Sequence, residues 1–168
     1  MLICSMLADY QLRQEKEHNM QVATPVKRWT ALPFGRIKIN SDVGILPGGG
    51  ARLGVMVRDS TGRFLFAVAK QFITCIWDPE DAEALAVELG VHKVVQLHLM
   101  NPSLETDCLN LVVDITQAER SRIEKEIVWR NIRRLLEQLG ETSWQQAPRE
   151  ANVAAHTMAH VKTIWNEM

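Results

Sequence analysis

Several marks of specialised protein classes are missing from this chain. It has only three cysteines, Cys4, Cys75 and Cys108, far apart and with no CxxC pair. That excludes a disulfide framework and a cysteine zinc site, and it fits reduced thiols inside a cell. No apolar run approaches the roughly 18 residues of a membrane span. The opening stretch Met1 to Ala8 is apolar, but it has no basic start and meets Asp9 too soon for a signal peptide. The expected location is therefore intracellular, in cytoplasm or nucleus rather than outside the cell, with no membrane partner. A basic surplus is missing too: 19 Lys and Arg face 20 Asp and Glu, for a net charge of −1. This argues against a tight non-specific polyanion binder and leaves a local basic patch open. Internal repeats and low-complexity segments are absent. The glycine run Gly48-Gly49-Gly50 lacks the Lys-Ser/Thr and the following helix of a phosphate loop, so it reads as a turn.

What is present suits one ordinary domain. The chain has 168 residues, 46% of them hydrophobic, enough for a real core. Residues 1–28 read as a tail, disordered or holding a short helix, and residues 29–168 as the domain. From Arg36, Ile37 and Ile39 alternate with Lys38 and Asn40, a half-buried strand that runs into Asp42. Strands over Leu53–Val57 and Phe64–Ala69 flank the turn residues Arg58 to Arg63, which predicts an antiparallel hairpin. Asp78-Pro79 starts a helix that extends to about His98. A short strand, Ser103 to Thr106, ends at Asp107, and a short helix covers Cys108 to Ile115. A longer helix spans Ser121 to Leu139, with Ile123, Ile127, Val128, Ile132, Leu135, Leu136 and Leu139 on one face, and Gly140 stops it. Thr142 to Gln146 makes a fifth strand, and Arg149 to about Trp165 the last helix. The order βββαβααβα predicts a mixed α/β sheet, part hairpin and part parallel crossover.

Three acids stand where simple structure does not ask for them. Asp42 and Asp107 lie at apparent strand ends. Glu83 falls in the middle of the helical arc formed by Ala86, Val87, Gly90, Val91, Val94 and Leu97. A carboxylate on an apolar face is costly unless it meets a cation or hydrogen-bond donors. Each acid has an ordinary alternative: a turn aspartate for Asp42, an N-cap for Asp107, a frayed first turn for Glu83. Together they converge on one sheet edge if strands one and four are neighbours. Hard divalent cations take such oxygen ligands. In the last helix, Ala151, Ala154, Met158, Val161 and Trp165 form a core stripe, with Asn152, His156 and His160 roughly opposite. His156 and His160 have the i, i+4 metal spacing, but no third ligand is evident, so zinc is not expected.

Five segments carry a family resemblance. They are Ile37-Lys38-Ile39-Asn40-Ser41-Asp42, Gly54 to Phe64, Asp81 to Ala86, Glu105 to Leu109, and Pro148 to Asn152 with Ala155-His156. In this order they resemble the ribonuclease H-like domain carried in many copies by plants and related to retroelement reverse transcriptases. The resemblance spans about Trp29 to Val161. It implies a five-stranded mixed sheet flanked by helices, and endonucleolytic cleavage of RNA in RNA–DNA hybrids. It further implies two Mg²⁺ or Mn²⁺ ions held by Asp42, Glu83, Asp107 and His156, a hybrid read by backbone shape and 2′-hydroxyls, and a monomer.

Three departures follow from the same comparison. His156 stands where active type 1 enzymes have a fourth Asp, which weakens Mg²⁺ relative to Mn²⁺. Gln146 replaces a mobile histidine and cannot take up a proton near neutral pH. Val43 comes between Asp42 and a glycine, which implies an altered turn beside the metal. The alternative reading is a catalytically degenerate, retroelement-derived module that binds nucleic acid or protein. Arg120, Arg122, Lys125, Arg130, Arg133 and Arg134 offer a hybrid contact, but interleaved glutamates favour a self-paired solvated face. Trp129 and Trp144 are expected in the core, with a substrate contact open for Trp144.

Overall fold

The structure, a computed structural model, describes residues 30–72, 78–117 and 123–160, with residues 114–117 and 123–126 described by backbone alone. The tail proposed for residues 1–28 lies outside them, as do Cys4, Cys75, Arg120 and Arg122. Five strands form one sheet: β1 (Ile37–Ile45), β2 (Ala51–Asp59), β3 (Phe64–Phe72), β4 (Pro102–Thr106) and β5 (Ser143–Gln146). The described helices are α1 (Pro79–Gln96), α2 (Leu109–Gln117), α3 (Ile123–Leu136) and α4 (Val153–His160), the last preceded by a 3₁₀ turn at Arg149–Ala151. The predicted α/β order is therefore the observed one.

The spatial strand order is β3-β2-β1-β4-β5. The β1–β2 and β2–β3 pairs are antiparallel, while β1–β4 and β4–β5 are parallel. The hairpin turn between β2 and β3 is closed by Asp59, whose carboxylate accepts from the Thr61 N–H at 2.9 Å and the Arg63 N–H at 3.0 Å. Asp78 caps α1 by accepting from the Glu80 N–H, with Pro79 in the first turn. One sheet face packs Ile37, Ile39, Val55, Val57 and Leu104 against Val87, Val91 and Val94 of α1 and Trp129, Ile132 and Leu136 of α3. Trp144 packs against the same core. The other face is covered by α4, which lies over β1 and β2.

Five local readings change. β1 does not end at Asp42, because Val43, Gly44 and Ile45 still pair with Leu53, Arg52 and Ala51. For the same reason no turn follows Asp42 and none is altered by Val43. Nor is β1 half-buried: Lys38 and Asn40 are both 0% exposed. The charge that a solvated strand would show to water is answered inside the protein. Lys38 Nζ lies 2.6 Å from Glu105 Oε1 on β4, and Asn40 donates to Glu105 Oε2 at 2.9 Å. The amide of Gln145 on β5 also donates to Glu105. On α3 the stripe runs through Trp129 rather than Ile127, which is 57% exposed. The helix ends at Leu136, and Gly140 takes a left-handed φ of 75° beyond it.

A candidate metal centre at the open end of the sheet

The parallel pairing of β1 with β4 ends at Ser41 opposite Thr106. Asp42 and Asp107 are the next residue on each chain, so the register alone sets two acids side by side where the sheet opens. Asp42 stays in β1 through its antiparallel partner Gly54 and is buried. Asp107 lies just past β4. Its backbone position is fixed by Thr106, whose hydroxyl accepts the Cys108 N–H at 3.2 Å. The Cys108 N–H just before the helix is thus met by the Thr106 hydroxyl and not by the Asp107 carboxylate. That carboxylate meets one partner among the described residues, the largely exposed Arg149, at 3.5 Å.

Glu83 comes from the second turn of α1, among the buried residues Ala82, Ala84, Ala86 and Val87. The alternative of a frayed first turn does not hold, since the cap at Asp78 and a continuous helix precede it. One carboxylate oxygen from each of Asp42, Glu83 and Asp107 lies within 4.8 Å of the others. Their mutual repulsion and burial act together. Burial, and then the charges of Asp42 and Asp107, push the Glu83 carboxyl up to about 8. Burial, and then Asp107, also raise the Asp42 carboxyl, while the Val43 N–H and His156 pull it down. The Thr106 hydroxyl, 3.5 Å from Glu83 Oε2, offers only a long contact. Three crowded acids with so few donors suit a hard cation with oxygen coordination.

His156 reaches the same place from α4: its Nδ1 lies 2.6 Å from Asp42 Oδ2. The helix can sit this close because two strand residues lack side chains. A Cβ on Gly54 would lie 2.4 Å from Ala159 N, and one on Gly44 would lie 2.5 Å from Ala159 O. The small residues Ala155 and Ala159 face the sheet and are 0% exposed. Here the predicted helix face changes. Asn152 is buried, not opposite the core, and its amide donates to the Ser41 carbonyl at 2.8 Å. The periodicity misplaced it because a 3₁₀ turn, not α-helix, runs from Arg149 to Ala151.

Gln146 stands at the end of β5, and its side-chain amide donates to the Asp107 carbonyl at 3.3 Å. Arg130, Arg133 and Arg134 are exposed on α3. Sequence reasoning missed the Lys38–Asn40–Glu105 cluster beneath Asp42. Its only outward sign was a lysine and an asparagine on the polar phase of β1.

A family model described as reverse transcriptase-like matches residues 42–162. Among solved structures, RNase H1 from Halobacterium salinarum superposes with a TM-score of 0.67 at 17% identity, covering 73% of this chain and 93% of that one. The N-terminal RNase H domain of a Mycobacterium tuberculosis protein gives 0.67 at 17%, covering 73% and 95%. LC11-RNase H1, solved in complex with an RNA/DNA hybrid, gives 0.65 at 19%, covering 73% and 92%. No curated protein sequence matches the chain.

Proposed function

Because the chain belongs to the reverse transcriptase-like family, we propose that it is an RNA–DNA hybrid endoribonuclease whose divalent cations are held by Asp42, Glu83, Asp107 and His156. The observation that carries this reading is the gathering of three carboxylates, from β1, α1 and the end of β4, within 4.8 Å of one another. The donor set fits the group: oxygens for hard cations, with one imidazole that tilts the preference from Mg²⁺ toward Mn²⁺. When bound, such cations supply a water of lowered pKa and a counter-charge for the leaving 3′ oxygen.

The chain's own residues do the rest. Asp42, held in a strand paired on its β2 side, is the fixed point on which the other groups converge. Glu83 retains its proton near neutral pH while no cation is present, and must release it to serve as a ligand. His156 meets Asp42 from the opposite side of the sheet. Arg149 beside Asp107 is an exposed cation at the rim, placed to meet a phosphate backbone. The open fold end and the hybrid found in the LC11 complex both support a hybrid as substrate.

A second reading, a hybrid- or protein-binding module without cleavage, is favoured by Gln146. Its amide sits beside Asp107 and exchanges no proton near neutral pH. The test is product analysis. Purified protein with Mn²⁺ is expected to cut the RNA strand of a labelled RNA–DNA hybrid, leaving 3′-hydroxyl and 5′-phosphate ends. Duplex RNA and duplex DNA should stay intact, and Asp107→Asn should cut nothing. Hybrid binding with no cutting in either metal would select the second reading.

A further inference from the structure

We propose that His160 joins Asp42 and His156 in a second divalent-metal position that takes a borderline transition ion such as Zn²⁺. One ligand atom from each lies within 4.8 Å of the others, in a grouping that meets the all-carboxylate one at Asp42. The i, i+4 spacing puts both imidazoles on one side of α4, with ring centroids 4.1 Å apart and planes tilted by 36°. Zinc bound tetrahedrally at about 2.0–2.2 Å sets its ligands about 3.4 Å apart. The ligand atoms all lie within 4.8 Å of one another, and the closest pair, His156 Nδ1 and Asp42 Oδ2 at 2.6 Å, opens toward that spacing to admit the ion.

Tautomer chemistry gives an independent sign. His160 Nδ1 lies 2.8 Å from the carbonyl oxygen of His156. A carbonyl can only accept, so Nδ1 carries the proton and the neutral ring holds its lone pair on Nε2. Fixing one ring nitrogen against a backbone carbonyl in this way is the arrangement that orients metal-bound histidines. His160 Nε2 lies over Gly44, two residues from Asp42, where a Cβ would stand only 3.3 Å from it. The missing side chain at Gly44 is thus what leaves room for the ring. His156 Nδ1 and Asp42 Oδ2, 2.6 Å apart, face each other across the position an ion takes when it displaces their shared proton.

The ligand chemistry separates the two centres. Two imidazoles and one carboxylate suit Zn²⁺, Co²⁺ or Ni²⁺, whereas three carboxylates suit Mg²⁺ or Mn²⁺. Three protein ligands leave a fourth position open for water or another oxygen donor. The histidine pair has no third ligand within α4. The fold supplies it from β1, 114 residues away in sequence.

The site shares Asp42 and His156 with the proposed hybrid-cleaving centre and adds His160, but it does not depend on cleavage, so its test reads binding. Zn²⁺ affinity of the full chain is measured by competition with a chromophoric chelator, and Mg²⁺ affinity by calorimetry. His160→Ala and His160→Gln are expected to weaken Zn²⁺ by at least about tenfold, the least that loss of even an outer partner costs. Both should leave Mg²⁺ affinity unchanged. Glu83→Gln is expected to weaken Mg²⁺ and spare Zn²⁺. In wild-type NMR spectra the His156 and His160 ring signals should shift together as Zn²⁺ is added. His160 is exposed at the helix end, and melting curves confirm that the variants fold. A loss of less than tenfold in folded His160 variants, or ring signals that stay in place, overturns the proposal. Failure of hybrid cleavage with Zn²⁺ bound at the histidines would sink the cleavage reading alone.

Discussion

Glu83 shows most plainly what the site demands of a single residue. Its carboxyl titrates near 4.5 when unperturbed and near 8 in the folded, metal-free chain. The folded state therefore holds the proton more tightly than the unfolded state does. The stabilisation this brings is complete below about pH 4.5 and is lost as pH rises through about 8. The raised Asp42 carboxyl acts in the same direction. Metal-free protein is thus expected to melt lower at pH 8.5 than at pH 5.5, and Glu83→Gln should flatten that slope and raise the melting temperature at pH 8.5. At about 2–4 °C per kcal/mol the change is measurable by calorimetry. Equal pH slopes in the two proteins would show that Glu83 does not carry the strain. The acid was legible because an apolar helix face has no ordinary use for it. Lys38 and Glu105 were not legible as a buried pair, since each looks like a surface charge until β1 and β4 are set side by side. The same holds for His160, whose third partner lies on another element.

At the scale of elements, the close seat of α4 on β1 and β2 decides whether the histidines reach Asp42. Gly54 and Gly44 make that seat, and a methyl group on Gly54 would collide with backbone atoms of Ala159 that cannot swing aside. Gly54→Ala is expected to cost about 1–3 kcal/mol, the usual penalty of overpacking. By lifting α4 it should weaken Zn²⁺ more than Mg²⁺, because the histidines ride on α4 while Glu83 and Asp107 do not. Denaturant titration and the two binding measurements check this. A Gly54→Ala protein as stable as wild type would show that α4 does not sit against the strand. The strands and helices themselves could be read from periodicity and caps, as the Asp78–Pro79 start of α1 shows. The exposed face of α4 could not, because the 3₁₀ turn resets the angular phase at Asn152.

For the whole molecule, the sheet order is the decisive fact. A hairpin places β2 and β3 on one side of β1, and the parallel crossover through α1 places β4 on the other. This brings Asp42 and Asp107 together at the one end where β4 stops and β1 continues, with Glu83 arriving from the crossover helix itself. The element order made this topology readable, since few connections satisfy it. Whether strands one and four were neighbours was the remaining condition, and their register meets it. Beneath the acids, Lys38, Asn40, Glu105 and Gln145 tie β1, β4 and β5 together, so the strands that bear Asp42 and lead to Asp107 are cross-linked by a buried ion pair and its hydrogen bonds. Removing one partner of such a pair leaves an uncompensated buried charge and is strongly destabilising. The central claim is that this centre cuts RNA paired with DNA. Its most direct test is the single-turnover rate of RNA-strand cleavage in a labelled hybrid with Mn²⁺, wild type beside Asp42→Asn. The account predicts cleavage by wild type and a loss of at least about 10²-fold in the variant, the scale of removing one charge-stabilising group. Equal rates in the two proteins, or no cleavage by folded wild type, would contradict it.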